Sequence, residues 1–570
     1  MNKSRNIAKY IFLLAVLCLA ACKNAEVPAK FAEGKSMPDI YPDYAGVTVP
    51  CNIAPLNFAI ENEADNYVTR IKAGDNEWVI GEQSVMIDEE DWQEIKQTAL
   101  AGNGAISIEV FTENGGNWTR MKPFEMFVSK DSIDPYISYR LIAPSYVTYE
   151  GLTINQRCLE NFDESVIYSN MINSNEKDGQ CINCHSYQNY DPNTMQFHVR
   201  QAHGGTVIAH DGKIEKLNLK ASDNMTSAGV YPAWHPTLPL IAYSTNHTGQ
   251  SFHTYDKQKI EVQDTYSDLI LYDVEKQEVQ PLPRDTNDLD CFPFWSPDGK
   301  YLYYCSAHYE INDSTGRTKE YDLILNYQDV HYNLYRRAFD EKTRQFGPQQ
   351  MVYNSGDTCS ATLPRISPDG RYLMFTRGDY GVFHIWHSSS DLYLIDLTQA
   401  TQSQAGNKSQ QAATQAQAGN KSQQAAKGSG VAELGSASEA PTSPGWNGCE
   451  ARCLRELNSP DVDSYHSWSS NGKWVIFSSR RYDGNFTRPF IAHMNEDGTF
   501  TRPFELPQAN PRFHQEFLRS YNIPEFMRGP VTIKPQEFAK VIFADSIQAK
   551  LSPNAPEEAD IATGASRLSK

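Results

Sequence analysis

A chain of 570 residues with a formal charge of −19 at pH 7 and a pI near 5.2 has length for about three or four domains, and nucleic acid or anionic lipid would repel it. No basic patch offsets that balance, so nucleic acid is excluded as a partner. With 31 Tyr, 34 Gly and 31 Pro, the composition favours many short strands joined by tight turns, and the expected fold class is mainly β.

Lys3, Arg5 and Lys9 precede an apolar run from Ile11 to Leu17, and Leu19-Ala20-Ala21-Cys22 follows at once. This resembles the lipobox of bacterial lipoproteins. The resemblance implies that residues 1–21 are a signal peptide and that Cys22 becomes the lipidated N-terminus, anchoring the chain to a membrane of the bacterial cell envelope, the outer membrane first. The run falls short of the roughly 20 apolar residues that a spanning helix needs. Residues 22–37 lack periodicity and read as a tether. From 38 to 133, short alternating runs such as Val47-Thr48-Val49, Tyr67 to Ile71, Ala105 to Phe111 and Phe124 to Val128 predict strands, with one helix over Glu89 to Leu100. The pattern resembles an immunoglobulin or fibronectin-type β-sandwich, a spacer or docking module.

Residues 134–197 hold Cys181-Ile182-Asn183-Cys184-His185. Two thiols three positions apart can each add to a vinyl group of one haem, and the adjoining imidazole can then take the iron. The pentapeptide is similar to the attachment motif of c-type cytochromes. That resemblance implies one covalent haem c, with Cys181 and Cys184 as thioethers and His185 as the proximal ligand. In bacteria resembling this pattern c-type haem is attached outside the cytoplasm, which agrees with an exported chain. Met195 is the first choice for the sixth position, with His198 the alternative and His203 further along. Strand-like alternation puts residues 195, 197 and 199 on one face and His198 on the other. The competing readings are half of a zinc site and a structural or redox Cys pair. No second C-x-x-C exists to close a zinc site, since Cys449 and Cys453 are spaced by three residues.

Residues 198–510 repeat one unit. Phe292-Pro293-Phe294-Trp295-Ser296-Pro297-Asp298-Gly299 recurs as Leu363-Pro364-Arg365-Ile366-Ser367-Pro368-Asp369-Gly370, then as Tyr465-His466-Ser467-Trp468-Ser469-Ser470-Asn471-Gly472, and more weakly from Tyr231-Pro232-Ala233-Trp234. Pro presets φ, Asp or Asn bonds back to the backbone, and Gly takes the positive φ, so each copy predicts a hairpin. The strands that follow are almost continuously apolar, as stacked blades require. These motifs resemble the TolB-type WD-like β-propeller repeats, which implies six blades; four are visible, with Gly205 to Leu217 a partial one. A low-complexity insertion, residues 399–447, carries the tandem Thr401–Ala413 and Thr414–Ala426 and is expected to be disordered. Residues 511–570 read as a tail. Cys291 and Cys305 lie equidistant from their turn and should face each other, as a disulfide or as buried thiols. Cys51 and Cys158 are a weaker pairing. His384 and His387 read as surface residues of a loop rather than a metal pair.

The function expected from these readings is a membrane-anchored envelope lipoprotein with one haem, carrying or sensing electrons, its propeller the docking platform for a redox partner or other envelope proteins. The alternative is a non-redox, TolB-like propeller that binds an envelope protein or a surface glycan. An enzyme is not expected, because no G-x-S-x-G nucleophile elbow occurs.

Overall fold

The computed structural model describes residues 25–143, 151–172, 180–223, 225, 227–254, 258–311, 316–398 and 450–555. The lipobox and the insertion lie outside them. Two compact units form: one from residues up to Ile133 with Leu159–Phe162 and Thr501–Phe517, the other from the rest. Among the described residues no helix is long and apolar enough to cross a membrane.

The first unit has a seven-stranded and a three-stranded sheet. Its helix, Glu89–Ala101, sits where the sequence predicts and buries Trp92, Ile95 and Ala99. Trp92 Nε1 and Lys96 Nζ both donate to the carbonyl of Ile53, at 2.9 and 2.7 Å. The tether expected over 22–37 is corrected: Ala32–Glu33 is a strand paired in parallel with Asn117–Arg120. Arg120 explains this, because its guanidinium pairs with Glu33 at 2.8 Å and covers the ring of Phe31, giving a segment without periodicity a fixed partner. Thr501–Phe517 group with this unit, and Phe504–Glu505 among them is also the outermost strand of the sheet that carries Asp463–Trp468.

Among the described residues the second unit has six sheets. Their innermost strands are Ser520–Met527, Cys181–Gln188, Val230–Trp234, Asp288–Trp295, Ser360–Ile366 and Asp463–Trp468, and each packs against the next, the last returning to the first. The predicted turns form as argued. Ser296 Oγ donates to Asp298 at 2.6 Å and Ser469 Oγ contacts Asn471 at 2.7 Å, with Gly299, Gly370 and Gly472 at φ near +70°. Behind them Tyr372–Gly378 and Trp474–Ser479 are buried on both faces.

Two boundaries change. The segment expected to wrap a haem is two ordinary blades: Tyr136–Ile142, Thr153–Cys158 and Glu164–Ser169 build the first, and Cys181–Gln188 opens the second. The expected tail supplies the first blade's innermost strand, Ser520–Met527, which pairs antiparallel with Tyr136–Ile142 and closes the ring between the two ends of the chain. Helix Pro535–Ile542 then packs into the apolar core around Phe197, and Ile547–Gln548 adds an edge strand to the second blade. The sheet that carries Asp391–Asp396 pairs it directly with Arg452–Cys453, so the insertion leaves and returns at adjacent strands.

Candidate functional site: the propeller axis

Each innermost strand breaks its ladder at an equivalent place, and Cys181–Gln188 shifts a second time between Tyr187 and Gln188. The register slips by one residue in all six, and the first residue of each bulge is non-glycine in the left-handed region: Cys184 (φ 56°), Tyr231 (50°), Phe292 (51°), Leu363 (55°), Tyr465 (48°) and Ile523 (53°). Such a conformation costs roughly 1–2 kcal/mol per residue, so six copies mark a designed feature of the ring. The next residue is Pro232, Pro293, Pro364 or Pro524 in four blades, which suits a bulge position with no ladder hydrogen bond to lose. In the other two it is His185 and His466.

The six bulges close the axis to a void of about 40 Å³, lined by those left-handed residues with His185, Pro232, Pro293, Pro364, Arg365 and Glu525. On one side the axis widens to a cavity of about 330 Å³. Every blade contributes the side chains that follow its bulge: Tyr187, Trp234, Phe294 and Trp295, Arg365, Trp468, Glu525 and Phe526. Indoles latch neighbouring blades. Trp295 Nε1 donates to Ala233 O at 3.1 Å and Trp468 Nε1 to Arg365 O at 3.2 Å, whereas Trp234 Nε1, facing the Cys181–Gln188 blade, is buried without a partner. One ion pair lies on the axis. Arg365 Nη2 donates to Glu525 Oε1 at 2.9 Å, Ser467 Oγ donates to Oε2 at 3.2 Å, and the guanidinium stands 4.9 Å from the Phe294 ring centre. Arg528, exposed at the mouth, stands 5.5 Å from the Tyr190 ring. The cavity therefore offers aromatic surface, one fixed donor–acceptor pair and an exposed guanidinium at its rim.

The cysteine motif lies at the neck. His185 is buried, and neither ring nitrogen makes a hydrogen bond, although the backbone of Ser138 and Ile523 passes close by. Burial, helped by Arg140, lowers its pKa to about 3, so the imidazole is neutral. Cys184 is buried too, and burial raises its thiol pKa. Cys181 lies beyond the bulge, opposite Arg200 and 3.7 Å from Asn183 Nδ2, and lines neither void. Met195 is fully buried in the apolar cluster with Phe197 and Val199, as the alternation requires, while His198 takes the other face with Nδ1 3.3 Å from Thr206 Oγ1. Neither reaches the axis. His203 stacks at a tilt on Phe543, 4.2 Å between ring centres.

These positions test the fit of a doubly attached haem. An unpartnered neutral imidazole suits an iron ligand. The two thiols, however, do not open on one space, and 40 Å³ is far below the roughly 300 Å³ at which small-molecule sites begin. Moreover, Cys184-His185-Ser186-Tyr187 occupies the same bulge as Tyr465-His466-Ser467-Trp468, a repeat without cysteine. The folded blade does not fit the group.

Cys291 and Cys305 stand directly opposite, and of the two outcomes left open for them the structure has the buried thiols and not the disulfide, Cys305 Sγ lying 3.3 Å from Cys291 O; directly opposed strand positions hold Cβ atoms wider than a disulfide prefers. Cys51 and Cys158 are free as well. His384 and His387 are buried, not superficial: His384 Nδ1 meets Thr362 Oγ1 at 3.1 Å and His387 Nε2 meets Glu261 at 3.3 Å. Among the described residues only Asp285, Asp288 and His308 form a group of three or more such side chains close enough to share an ion, and His308 and Asp288 are joined by a 2.7 Å contact.

No family model matches the chain, and no curated protein does. Solved structures similar to it include the crystal structure of an ACO/RPE65 chimera, at TM-score 0.34 and 8% identity over 88% of this chain and 97% of that one. Another is the Niastella koreensis GH74 enzyme, at TM-score 0.28 and 8% identity over 57% and 45%. Likenesses this distant carry no argument about function.

Sequence reasoning missed the axial residues Arg365, Phe294, Glu525 and Arg528. The signal was present: Asn522-Ile523-Pro524-Glu525-Phe526 has the x-apolar-Pro-x-aromatic form of Cys291 to Trp295.

Proposed function

We propose that this chain is an envelope lipoprotein whose propeller binds a ligand, a surface glycan or the end of an envelope protein, in the blind aromatic cavity on its axis, without turning it over. The observation that carries this reading is the cavity itself: all six blades supply side chains to it, and a ring of strained residues floors it. Vicinal hydroxyls or a peptide end would meet the acceptor of Glu525 and the donors of Arg365 at once, and aromatic walls supply apolar contact. Because Trp234, Trp295 and Trp468 line the space, occupancy should perturb tryptophan emission. Titration with envelope glycan fragments and envelope-protein peptides should give a saturable change that Phe294→Ala weakens at least tenfold; a response that Phe294→Ala leaves unaltered refutes the axial site.

A second reading keeps the sequence motif: Cys181, Cys184 and His185 take a c-type haem, the chain then carrying or sensing electrons. The unpartnered nitrogens of His185 favour it. Its test is a pyridine haemochrome spectrum of protein purified from cells that mature c-type cytochromes. An absent α-band removes it.

A further inference from the structure

The neck of the axis has its own chemistry, whatever the wider cavity holds. Its void of about 40 Å³ exceeds the roughly 10–15 Å³ that one water needs, yet it is an order of magnitude too small for an organic ligand. Two metal-binding side chains line it, the thiol of Cys184 and the imidazole of His185. Both are more than nine-tenths buried, and both imidazole nitrogens lack a partner. A buried polar atom left unpaired costs about 1–3 kcal/mol, and here both ring nitrogens are left so, which a bound ion would repay at one of them.

We propose that this neck is a site for one monovalent copper ion, held between Cys184 Sγ and a ring nitrogen of His185. Charge and coordination number select the ion. Arg365 is neutralised by Glu525, but Arg140 acts on both His185 and Cys184, and Arg200 on Cys184, so the neck opposes any net positive charge. Copper(I) entering as Cu⁺ displaces the thiol proton, and Cys–SH plus Cu⁺ gives Cys–S–Cu plus H⁺, a neutral unit in a desolvated place. Zinc(II) with the same two ligands would leave one positive charge uncompensated. Glu525, the one acid lining the neck, is held by Arg365 and Ser467. Zinc also asks for four ligands, whereas a soft, closed-shell Cu⁺ accepts a thiolate and one imidazole. The ion can enter through the larger cavity, since Pro232, Arg365 and Glu525 border both spaces. Cys181, outside both, takes no part.

The test is an anaerobic titration of the mature protein with Cu(I) against bicinchoninate, comparing wild type with Cys184→Ser, His185→Gln and Cys181→Ser. Wild type and Cys181→Ser should bind the same number of equivalents, Cys184→Ser one fewer, and His185→Gln should hold that equivalent at least tenfold more weakly. Equal stoichiometry in Cys184→Ser, or a loss in Cys181→Ser, overturns the proposal. X-ray absorption of wild type with its tightest equivalent covers the case of a misfolded variant: one sulfur and one nitrogen scatterer support the site, and two or more sulfurs overturn it. A haemochrome-positive preparation would have the Cys184 sulfur already bonded and would equally overturn it.

Discussion

His466 provides a direct measurement of what a buried histidine at the bulge does to the propeller. Burial, with a smaller contribution from Arg365, lowers its pKa to about 3, against about 6.5 in an unfolded chain. The folded state therefore holds it neutral while the unfolded state takes a proton. Stability is intact above pH 6.5 and is lost as pH falls from there towards 3. Between pH 7 and pH 5 the loss from this one group is about 2 kcal/mol. Replacing it by proline should remove that loss, because the equivalent positions are Pro232, Pro293, Pro364 and Pro524, each preceded by a residue in the same left-handed conformation as Tyr465. The substitution also deletes two buried nitrogens without partners. Urea unfolding followed by tryptophan emission at pH 7, 6 and 5 should give His466→Pro a stability equal to or above wild type at pH 7. The advantage should grow by about 2 kcal/mol at pH 5. Asp264 and Asp290, which burial raises to about 7, act in the opposite sense on the absolute curve but cancel in the difference. Parallel curves for the two proteins would show that His466 is not held neutral, and the burial argument would fail.

Arg365→Met and Glu525→Met should each destabilise the fold by about 1–3 kcal/mol, while the double variant costs less than their sum by at least about 1 kcal/mol, because each single change strands a half-buried charge; strict additivity in a double-mutant cycle refutes a coupled pair. Deleting residues 401–444 should leave the thermal midpoint within about 2 °C of wild type, since strands Asp391–Asp396 and Arg452–Cys453 already pair without it; a larger fall means the segment is folded. Cys22→Ala should move the protein from the membrane to the soluble fraction and abolish palmitate labelling, and retention at the membrane would count against the anchor.

The hairpins legible in the sequence are those with a Ser-x-Asp/Asn-Gly turn, where the side-chain hydrogen bonds that shape the turn are local and recur. The second blade was read only in part, as Gly205 to Leu217, because its first turn is Asn189-Tyr190, both at positive φ, a two-residue connection with no glycine to announce it. The first blade could not be read from local pattern at all: its innermost strand is separated from its partner by most of the chain, and pairing Ser138 with Glu525 is decided by ring closure rather than by nearby residues. The same limit hid the site. Arg365 looks like a surface residue at a strand end until the Ser520–Met527 strand brings Glu525 across to it. Alternation, by contrast, correctly separated Met195 from His198, because period two depends only on the strand itself.

The cysteine pentapeptide shows how a chemical motif and a structural repeat can share residues. Read alone, Cys184-His185 is a haem attachment site; laid over Tyr465-His466 it is the bulge of a blade, with histidine where four sister blades use proline. Histidine has no structural advantage there. It leaves ring nitrogens unpaired, carries a desolvation penalty below pH 6.5, and keeps a backbone N–H that proline lacks. At His466 the blade bears that cost with no thiol beside it, so the histidine in itself does not require a metal or a cofactor. At His185 the neighbour is Cys184 where the other five blades place an aromatic or aliphatic side chain, and both line one void at the narrowest point of the axis. The cysteine, not the histidine, is thus what sets this bulge apart from the other five, and it is the feature that the proposed copper site accounts for.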